Sequence, residues 1–405
     1  MQLTRRRWIG NSALAMGAVR GGSEPQKLAL RDQFPVVHAE TCLNNARWHP
    51  LSVGAKRAIV GYLDYKSSGG GRVPQYSTLQ QETVKQLYAK LIGAQSSEIS
   101  FVPSTLAGEN LIVSALGLPA SGRNVVTDAL HFEGSLYLYG ELERQGLDVR
   151  MVKPREGRIV LTDLERVIDK NTKLVALSLV SMVNGFEHDL KAVCERAHAH
   201  GAYVFADIVQ AAGAVPIDVR ASGVDFCAGA SYKWLMGDMG LGFLYVKEAL
   251  IERLRRPQYG YRQLADMTYH VFPYDTPGES VFDWKQKNDA AGHFEVGTVS
   301  NTTVAALSFS LEWLQRIGIG RIQAHRQPLL QSLQKEMPRL GFEPMTPAES
   351  TSPIVAFAVK DTERLTKKLS HANIDIAVYP HRVRISPSIY NDETDVQALL
   401  NCFSS

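Results

Sequence analysis

Short runs of apolar residues alternate with segments of helical periodicity through the first two thirds of this 405-residue chain. These runs lack the polar alternation of a strand with one wet face, so each is predicted to be a strand buried on both sides. Buried strands that alternate with helices predict an α/β fold with a mostly parallel sheet covered on both faces. The predicted strands fall in residues 99–102, 124–127, 149–152, 174–180 and 202–207.

The pattern changes after about Leu254. Residues 255–292 are rich in Tyr, Pro, Asp and Gly with little periodicity, and an irregular segment of that length is often functional. Two long helices, then short strands around one more helix, predict a small α+β domain at the carboxyl end. We therefore predict four parts: residues 1–22, an N-terminal segment 23–50 that packs on the small domain, a large domain 51–300 and a small C-terminal domain 301–405.

The first 22 residues are treated apart from the fold. Thr4-Arg5-Arg6-Arg7-Trp8-Ile9 precedes the uncharged residues 10–19, and this arrangement resembles a twin-arginine export signal. We expect export to the periplasm, with a cytoplasmic protein that has a basic, disordered start as the alternative. Neither this stretch nor any later one is long enough to span a bilayer.

Charge and cysteine spacing exclude several classes of function. Forty-four Lys and Arg against 41 Asp and Glu leave a formal charge of +3, which is too slight to indicate a nucleic-acid partner. The four cysteines form no CxxC pair, so neither a zinc ribbon nor a disulfide framework is indicated. Cys194, His198 and His200 have loosely metal-like spacing, but they lie on one amphipathic helix, so no metal site is predicted.

Lys233 is the residue that most directly suggests chemistry. It lies in a segment of small and aromatic residues, 230–237, before a Gly-rich turn and another apolar run. A buried ammonium is costly, so its pKa usually falls, which makes the amine a nucleophile. Such a lysine forms a Schiff base with a carbonyl such as that of pyridoxal 5'-phosphate (PLP). The alternative is a surface lysine beside a turn.

Other polar residues follow predicted strands, and in open α/β sheets ligands collect at the strands' carboxyl ends. Ser104 and Thr105 stand between a strand and a helix, where they would cradle a phosphate or simply cap the helix. Asp207 ends a strand and would keep a pyridine nitrogen protonated, or else cap the next helix. Gln210, one turn later, would hydrogen-bond the phenolic oxygen of the pyridine ring.

In their order along the chain, these motifs resemble those of the class V aminotransferases. Those fold-type I PLP enzymes include cysteine desulfurases, kynureninases and isopenicillin N epimerase-like proteins. The resemblance extends from about Leu43 to the carboxyl end. The segments that carry it are Leu43-Asn44-Asn45-Ala46, Phe101-Val102-Pro103-Ser104-Thr105 with Asn110, Asp207-Ile208-Val209-Gln210, Ser231-Tyr232-Lys233, Phe294-Glu295-Val296-Gly297-Thr298, and Arg384-Ile385-Ser386-Pro387 with Tyr390-Asn391.

The resemblance implies a fold and a set of roles. The large domain would hold PLP on a mostly parallel seven-stranded sheet flanked by helices, beside a small α+β domain. Lys233 would form the internal aldimine and then act as acid and base at the substrate's α-carbon, with Asp207 as the second catalytic residue. Ser104, Thr105 and Ser231 would anchor the phosphate.

The remaining roles concern the partner subunit and the substrate. Thr298 would reach the phosphate in a neighbouring subunit, so the resemblance implies a homodimer with shared active sites. Arg384 would clamp a carboxylate of a small amino-acid or amine substrate, for which bidentate guanidinium pairing is suited, and Asn45 would also contact the substrate.

Departures from the family pattern concern the substrate. Residues 376–382 are too short for the desulfurase loop and contain no cysteine, which argues against cysteine desulfuration by that route. Phe132, with His131 just before it, stands where desulfurases stack a histidine on the cofactor ring, and the sequence leaves open which of the two stacks. Met182, Tyr232 and His293 replace an asparagine, a histidine and an arginine of many relatives.

We therefore predict a PLP-dependent aminotransferase or epimerase-like enzyme. The alternatives are a PLP-dependent lyase that catalyses elimination, a periplasmic enzyme that modifies a siderophore precursor, and a non-catalytic PLP-binding protein.

Overall fold

The computed structural model describes residues 28–68 and 73–404. The predicted export signal, residues 1–22, lies outside the described residues. The strands are β1 (Thr41–Cys42), β2 (Ile99–Val102), β3 (Asn124–Asp128), β4 (Asp148–Val152), β5 (Thr172–Ser178), β6 (Tyr203–Asp207), β7 (Phe226–Ala230), β8 (Gly242–Val246), β9 (Leu264–Tyr269), β10 (Phe282–Gln286), β11 (Glu343–Pro344), β12 (Val355–Ala358), β13 (Ile374–Asp375), β14 (Ala377–Tyr379) and β15 (Arg382–Ile385).

Helices cover both faces of the largest sheet and one side of a smaller one. The α-helices are α1 (Val53–Ser67), α2 (Val73–Ile92), α3 (Thr105–Ala115), α4 (Glu133–Arg144), α5 (Leu161–Val167), α6 (Leu190–Ala199), α7 (Val219–Ser222), α8 (Glu248–Ile251), α9 (Ala290–Phe294), α10 (Asn301–Ile317), α11 (Ile319–Glu336), α12 (Thr362–Ala372) and α13 (Glu393–Ser404). Among the described helices, none combines the length and apolar composition that a membrane crossing needs.

The main sheet has seven strands in the order β2-β8-β7-β6-β5-β3-β4. Every pairing is parallel except those of β8, which runs antiparallel to both β2 and β7. Strands β3, β7 and β8 are buried along their whole length, as expected for apolar runs with helices on both faces. The predicted seven-stranded, mostly parallel α/β sheet is therefore confirmed.

The strand register brings three chain segments together at one edge of this sheet. Ser178 at the end of β5 lies opposite Asp207 at the end of β6, and Asp207 lies opposite Ala228 near the end of β7. Lys233 follows three residues after β7 ends. Parallel pairing thus places a carboxylate and an amine from distant parts of the sequence at the same edge.

A second, four-stranded antiparallel sheet in the order β11-β12-β15-β14 forms the small C-terminal unit. Its core combines strand residues such as Phe357 and Val383 with residues of α11 and α13 such as Leu333 and Leu399. The N-terminal segment joins this unit, because β1 pairs in parallel with β13 and Leu43 lies in the same core.

The predicted domain boundary between residues 300 and 301 assigns helix α10 to the small domain, but the helix packs with the large domain. Its buried residues Leu307 and Leu311 belong to the core of the main sheet, and the helix packs on α1 and α2. In α11, Ile322 still belongs to that core, whereas Leu329, Leu330 and Leu333 belong to the small core. The change of core therefore falls within α11, between residues 322 and 329. Helical periodicity reveals an apolar face but not the surface that covers it.

Residues 255–292 are more regular than their sequence suggests. They contain an antiparallel hairpin of β9 and β10, in which Tyr269 pairs with Phe282. The hairpin is largely exposed, including Trp284 and Tyr274. Strands that are exposed on both faces have no reason to alternate polar and apolar residues, so the expected pattern is missing.

Gly213 packs closely against the backbone of Trp234, the residue after Lys233, and a substitution there tests this contact. Its φ is 90°, and a Cβ there would lie 2.4 Å from the carbonyl oxygen of Trp234. We expect Gly213→Ala to lower the melting temperature more than Gly201→Ala does. Gly201 also has a positive φ, 75°, but open space around it, so its variant measures the backbone strain alone, about 1–2 kcal/mol. Equal melting temperatures by circular dichroism would contradict the close contact.

Candidate active site

A cavity of about 260 Å³ opens at the carboxyl ends of β5, β6 and β7. The predicted catalytic residues Lys233 and Asp207 both line it. The other lining residues are Ser104, Thr105, Leu106, Phe132, Ser178, Val180, Met182, Val209, Gln210, Ala230 and Tyr232. The fold therefore brings together residues from five separate stretches of the chain around one space.

Asp207 lies at the bottom of this arrangement, only 2% exposed. One carboxylate oxygen accepts the backbone N–H of Val209 at 2.8 Å, and the other accepts the hydroxyl of Ser178 at 3.4 Å. Burial raises the pKa of Asp207, while the nearby positive charges of His131 and Lys233 oppose that shift. A cationic group placed against this carboxylate would favour its ionised form further.

Lys233 has the electrostatic environment of a reactive amine. Its side chain is nearly buried, and this burial lowers its pKa to about 8. Asp207 opposes the shift, whereas the like charge of Arg384 adds to it. A substantial fraction of the amine is therefore neutral, and nucleophilic, slightly above neutral pH.

The backbone around Lys233 is held by its neighbours on both sides. His49 donates its backbone N–H to the carbonyl oxygen of Tyr232 at 3.1 Å. Trp234 donates its indole N–H to Gln210 at 2.9 Å. Gln210 in turn donates to the carbonyl oxygen of Ala46 at 2.9 Å, which leaves one amide hydrogen free to face the cavity.

The predicted phosphate residues Ser104 and Thr105 begin α3. The Ser104 hydroxyl caps the helix by accepting the N–H of Ala107 at 3.1 Å, so the capping alternative is realised. The Thr105 hydroxyl accepts the N–H of Ala230 at 2.9 Å and keeps its own hydrogen to donate. The first N–H groups of a helix have no partner within it, and both residues line the cavity, so this end suits an anion.

Three of the predicted ligands have other surroundings. The Ser231 hydroxyl is fully buried and lies 2.5 Å from the carbonyl oxygen of Asp238 and 2.7 Å from that of Leu241, the two acceptors for its single hydrogen. It does not line the cavity, so a phosphate contact would require these bonds to be given up. Thr298 lines a different groove of about 580 Å³, together with residues of β2 and α3.

The side chain of Asn45 serves the architecture rather than the cavity. Its amide donates to the carbonyl oxygen of Ser386 at 2.9 Å and accepts the Tyr390 hydroxyl at 2.7 Å. It is fully buried and does not line the cavity. In the structure Asn45 ties the N-terminal segment to the small domain, and its predicted substrate contact stays a prediction.

His131 and Phe132 take different positions relative to the cavity. Phe132 lines the cavity, whereas His131 is buried behind it. A Cβ on Gly134 would lie 2.6 Å from the Phe132 ring, so glycine leaves room for that ring. Phe132 therefore supplies an apolar face to the cavity, and the described lining residues include no histidine.

His131 belongs to a buried hydrogen-bonded chain that ends at Asp207. Its Nδ1 lies 2.9 Å from the Ser178 hydroxyl, and its Nε2 lies 3.1 Å from the Glu109 carboxylate. While Asp207 is ionised, Ser178 donates to it, and the same hydroxyl oxygen must then accept from Nδ1. With Nε2 donating to Glu109, the network is complete when both ring nitrogens carry hydrogen, and the raised pKa of His131 favours this imidazolium form.

Glu109 is a functional candidate that the sequence reasoning missed. Its carboxylate is fully buried and also accepts the hydroxyls of Ser135 at 2.5 Å and Tyr139 at 2.8 Å. Burial acts to lower the pKa of His131, but the charge and hydrogen bond of Glu109, together with the charges of Asp207 and Asp128, raise it above its ordinary value. Glu109 is the one charged residue of the helix 105–115, and this is the signal that would have identified it.

Arg384 lies beside the cavity and is 1% exposed. It donates to the carbonyl oxygen of Met182, a lining residue, at 3.3 Å. Burial, with the like charges of Arg382 and Arg47, lowers its pKa, whereas Tyr379 opposes the shift. Its position next to the cavity suits a substrate carboxylate.

Possible metal ligands occur elsewhere. In the predicted weak candidate set, His198 instead pairs with Asp225 at 2.8 Å. Glu40, Cys42 and Asp375 place their ligand atoms within 4.8 Å of one another at the β1–β13 pairing, but none of them lines the cavity.

The hydrogen-bond chain can be tested in the protein without cofactor. We expect Glu109→Gln to lower the His131 pKa, because the carboxylate charge that favours the imidazolium is removed. Nitrogen-15 NMR of labelled histidine, with His131→Gln for assignment, reports the protonation of both ring nitrogens. Tyr139→Phe is the control, since it removes one hydrogen bond to Glu109 and leaves the charge. A neutral His131 at pH 7 in the unaltered protein would contradict the assignment.

Cofactor attachment should depend on pH through Lys233. Only the neutral amine attacks an aldehyde, so we expect the rate of PLP attachment to rise as pH increases through about 8. Asp207→Asn removes the charge that raises the Lys233 pKa, so the midpoint should move to lower pH. Stopped-flow absorbance measures both profiles, and a midpoint near 10.5, the usual lysine value, would refute the depressed pKa.

Comparison with known proteins places this geometry in a family. The model of the family described as aminotransferase class-V matches residues 61–399. A probable cysteine desulfurase of Methanothermobacter thermautotrophicus is 28% identical over 313 residues, which are 75% of this chain and 74% of that protein. The uncharacterized aminotransferase YcbU of Bacillus subtilis is 26% identical over 372 residues, 91% of this chain and 94% of that protein.

A solved structure agrees with the fold. The apo structure of a cysteine desulfurase from Thermococcus onnurineus NA1 superposes with a TM-score of 0.80 at 23% identity and covers 92% of this chain and 96% of that one. The α/β fold is thereby confirmed as that of fold-type I PLP enzymes. Family membership implies PLP as the cofactor, and a cavity with an amine, a carboxylate, an aromatic face and a helix N-terminus fits it. This chain belongs to the class V aminotransferases and is a PLP-dependent enzyme of that family.

Proposed function

We propose that this enzyme is an aminotransferase, which moves the amino group of an amino acid to a 2-oxo acid. The first substrate leaves as a 2-oxo acid and the second as an amino acid, so no external oxidant or reductant is needed. The observation that carries the proposal is Lys233, the one amine among the described residues that line the cavity, with a pKa of about 8. A single base of this kind suits proton transfer on one face of the substrate.

The chain's residues divide the work. PLP, when bound, supplies the electron sink that stabilises negative charge at the substrate's α-carbon. Asp207 would hold the proton on the pyridine nitrogen, and the start of α3 at Ser104 and Thr105 would bind the phosphate. Lys233 would hold the aldehyde carbon and then accept the α-proton at Nζ. Arg384 would orient the substrate carboxylate.

Epimerisation is less well supported than transamination. Inverting the α-carbon requires a second proton acceptor on the opposite face. Of the other described lining residues, Phe132 carries no ionisable group, and burial raises the pKa of the Tyr232 hydroxyl. Neither side chain is suited to accept a proton near neutral pH.

Desulfuration by a cysteine nucleophile is also poorly supported. The four cysteines, Cys42, Cys194, Cys227 and Cys402, all lie in the described residues, and none lines the cavity. Similarity to the probable cysteine desulfurase therefore does not support desulfurase activity at this site. Export through residues 1–22, and with it modification of a siderophore precursor in the periplasm, stays a prediction.

The proposed active form is a homodimer. Thr298 and Lys233 line different cavities of one subunit, so a shared site would combine the Thr298 segment of one subunit with the Lys233 cavity of the other. The exposed aromatic residues of segment 259–284, such as Tyr274 and Trp284, provide apolar surface for such a contact.

Isotope transfer tests the reaction. Holoenzyme is incubated with a panel of ¹⁵N-labelled L-amino acids and an unlabelled 2-oxo acid, and mass spectrometry follows the label. We expect the label to appear in the new amino acid, and Lys233→Ala to reduce the rate by about 10²–10⁴-fold because the base is lost. Lys367→Ala, an exposed lysine on α12, is the control.

Each alternative reaction has its own product. Inverted substrate without label transfer would indicate epimerisation, and release of a side-chain fragment would indicate elimination. Either result, or full activity of Lys233→Ala, would refute the aminotransferase proposal.

A further inference from the structure

Two arginines share one face of the last strand of the small sheet. Arg382 and Arg384 are two residues apart on β15, so their side chains leave on the same side, while Val383 and Ile385 point into the small core. The Tyr379 ring on the neighbouring strand β14 lies 4.3 Å from the guanidinium carbon of Arg382 and 5.6 Å from that of Arg384. The two cations thus lie on the same aromatic ring.

This pair of charges has no anionic partner in the part of the chain that the structure describes. Neither arginine lies within 4.0 Å of a described carboxylate, and the Nε of each is buried without a hydrogen-bond partner. Arg384 donates only to a backbone carbonyl and the tyrosine. Arg384 is buried and Arg382 is half-buried. A buried charge is normally paired, so two guanidinium groups at one place without a carboxylate indicate a ligand that brings negative charge.

The pair adjoins the cavity that holds Lys233. Arg384 donates to the carbonyl oxygen of Met182, which lines that cavity, and its charge acts on Lys233. A ligand bound in the cavity through Arg384 would extend towards the strand face that also carries Arg382.

One carboxylate suffices for one guanidinium, since two parallel N–H···O bonds satisfy both groups. If Arg384 takes the α-carboxylate, Arg382 is left to pair with something else. A second acidic group on the same substrate would satisfy it and would leave the two cations matched by two anions.

We propose that Arg382 binds a second acidic group, so that the preferred substrates are amino acids and 2-oxo acids with an acidic side chain, such as aspartate or glutamate. This inference rests on the proposed aminotransferase function for the identity of the substrate. The binding subsite itself rests only on the two arginines and the tyrosine ring that both contact.

Binding of unreactive analogues separates the subsite from the reaction. Isothermal titration calorimetry of the holoenzyme compares glutarate, which has two carboxylates, with butyrate, which has one. We expect glutarate to bind about tenfold tighter or more, because a hydrogen bond to a charged group contributes about 1.5–3 kcal/mol. Arg382→Gln should reduce this preference to near unity.

Arg339→Gln is the matched control, since Arg339 is an exposed arginine of the same unit that pairs with Glu336. It should leave the preference for glutarate unchanged. A thermal melt of each variant confirms that the fold persists. Equal affinity for the two acids in the unaltered enzyme would overturn the proposal, as would an equal loss for both acids in Arg382→Gln.

Turnover supplies the second measurement. Label transfer from aspartate and glutamate is compared with transfer from asparagine and glutamine, which have the same shapes without the charge. Preference for the acids that Arg382→Gln abolishes supports the proposal. Glutarate selectivity without any label transfer would sustain the subsite and refute the aminotransferase function, so the two failures are distinguishable.

Discussion

The close approach of a buried amine and a buried carboxylate at one sheet edge is the constraint on which the rest of the site depends. Burial alone would neutralise both groups, lowering the pKa of Lys233 and raising that of Asp207. Each charge partly restores the other, so the amine keeps a pKa close to working pH instead of losing its proton entirely. Parallel pairing of β5, β6 and β7 causes this proximity, because it places the carboxyl ends of the three strands side by side.

A second layer of charge lies behind the first. Glu109 and His131 form a buried ion pair that reaches Asp207 through the Ser178 hydroxyl. The positive charge of the imidazolium stabilises the ionised form of Asp207, although the two groups are not in direct contact. Salt screens charges in the protein interior much less than charges at the surface. The buried Glu109–His131 pair can therefore influence the ionisation of Asp207 without contacting it.

Much of the fold and of the site centre was predictable from the sequence. Apolar runs between helices predict the sheet, and a polar residue directly after such a run, as at Asp207, indicates its position. Side-chain direction was not predictable in the same way. Ser231 and Asn45 occur in the expected motifs, yet their hydrogen bonds go to backbone and small-domain groups, since a motif specifies residue types and not the partners that compete for them.

Three further features escaped the sequence reasoning for physical reasons. Glu109 looks like one polar position on a helix until the surrounding elements enclose it. The β9–β10 hairpin lacks alternation because it has no buried face. The assignment of α10 to the large core depends on long-range packing, which local periodicity does not encode.

His49 connects the small C-terminal unit to the backbone beside Lys233 through hydrogen bonds. Its ring bonds Ser388 of the small domain at 2.7 Å, and its backbone bonds the residue before Lys233. Burial lowers the pKa of His49 to about 4, so this link stays uncharged and intact across ordinary pH. A rocking of the small domain would therefore displace the main chain at Lys233, so that Arg382 and Arg384 would move together with that amine.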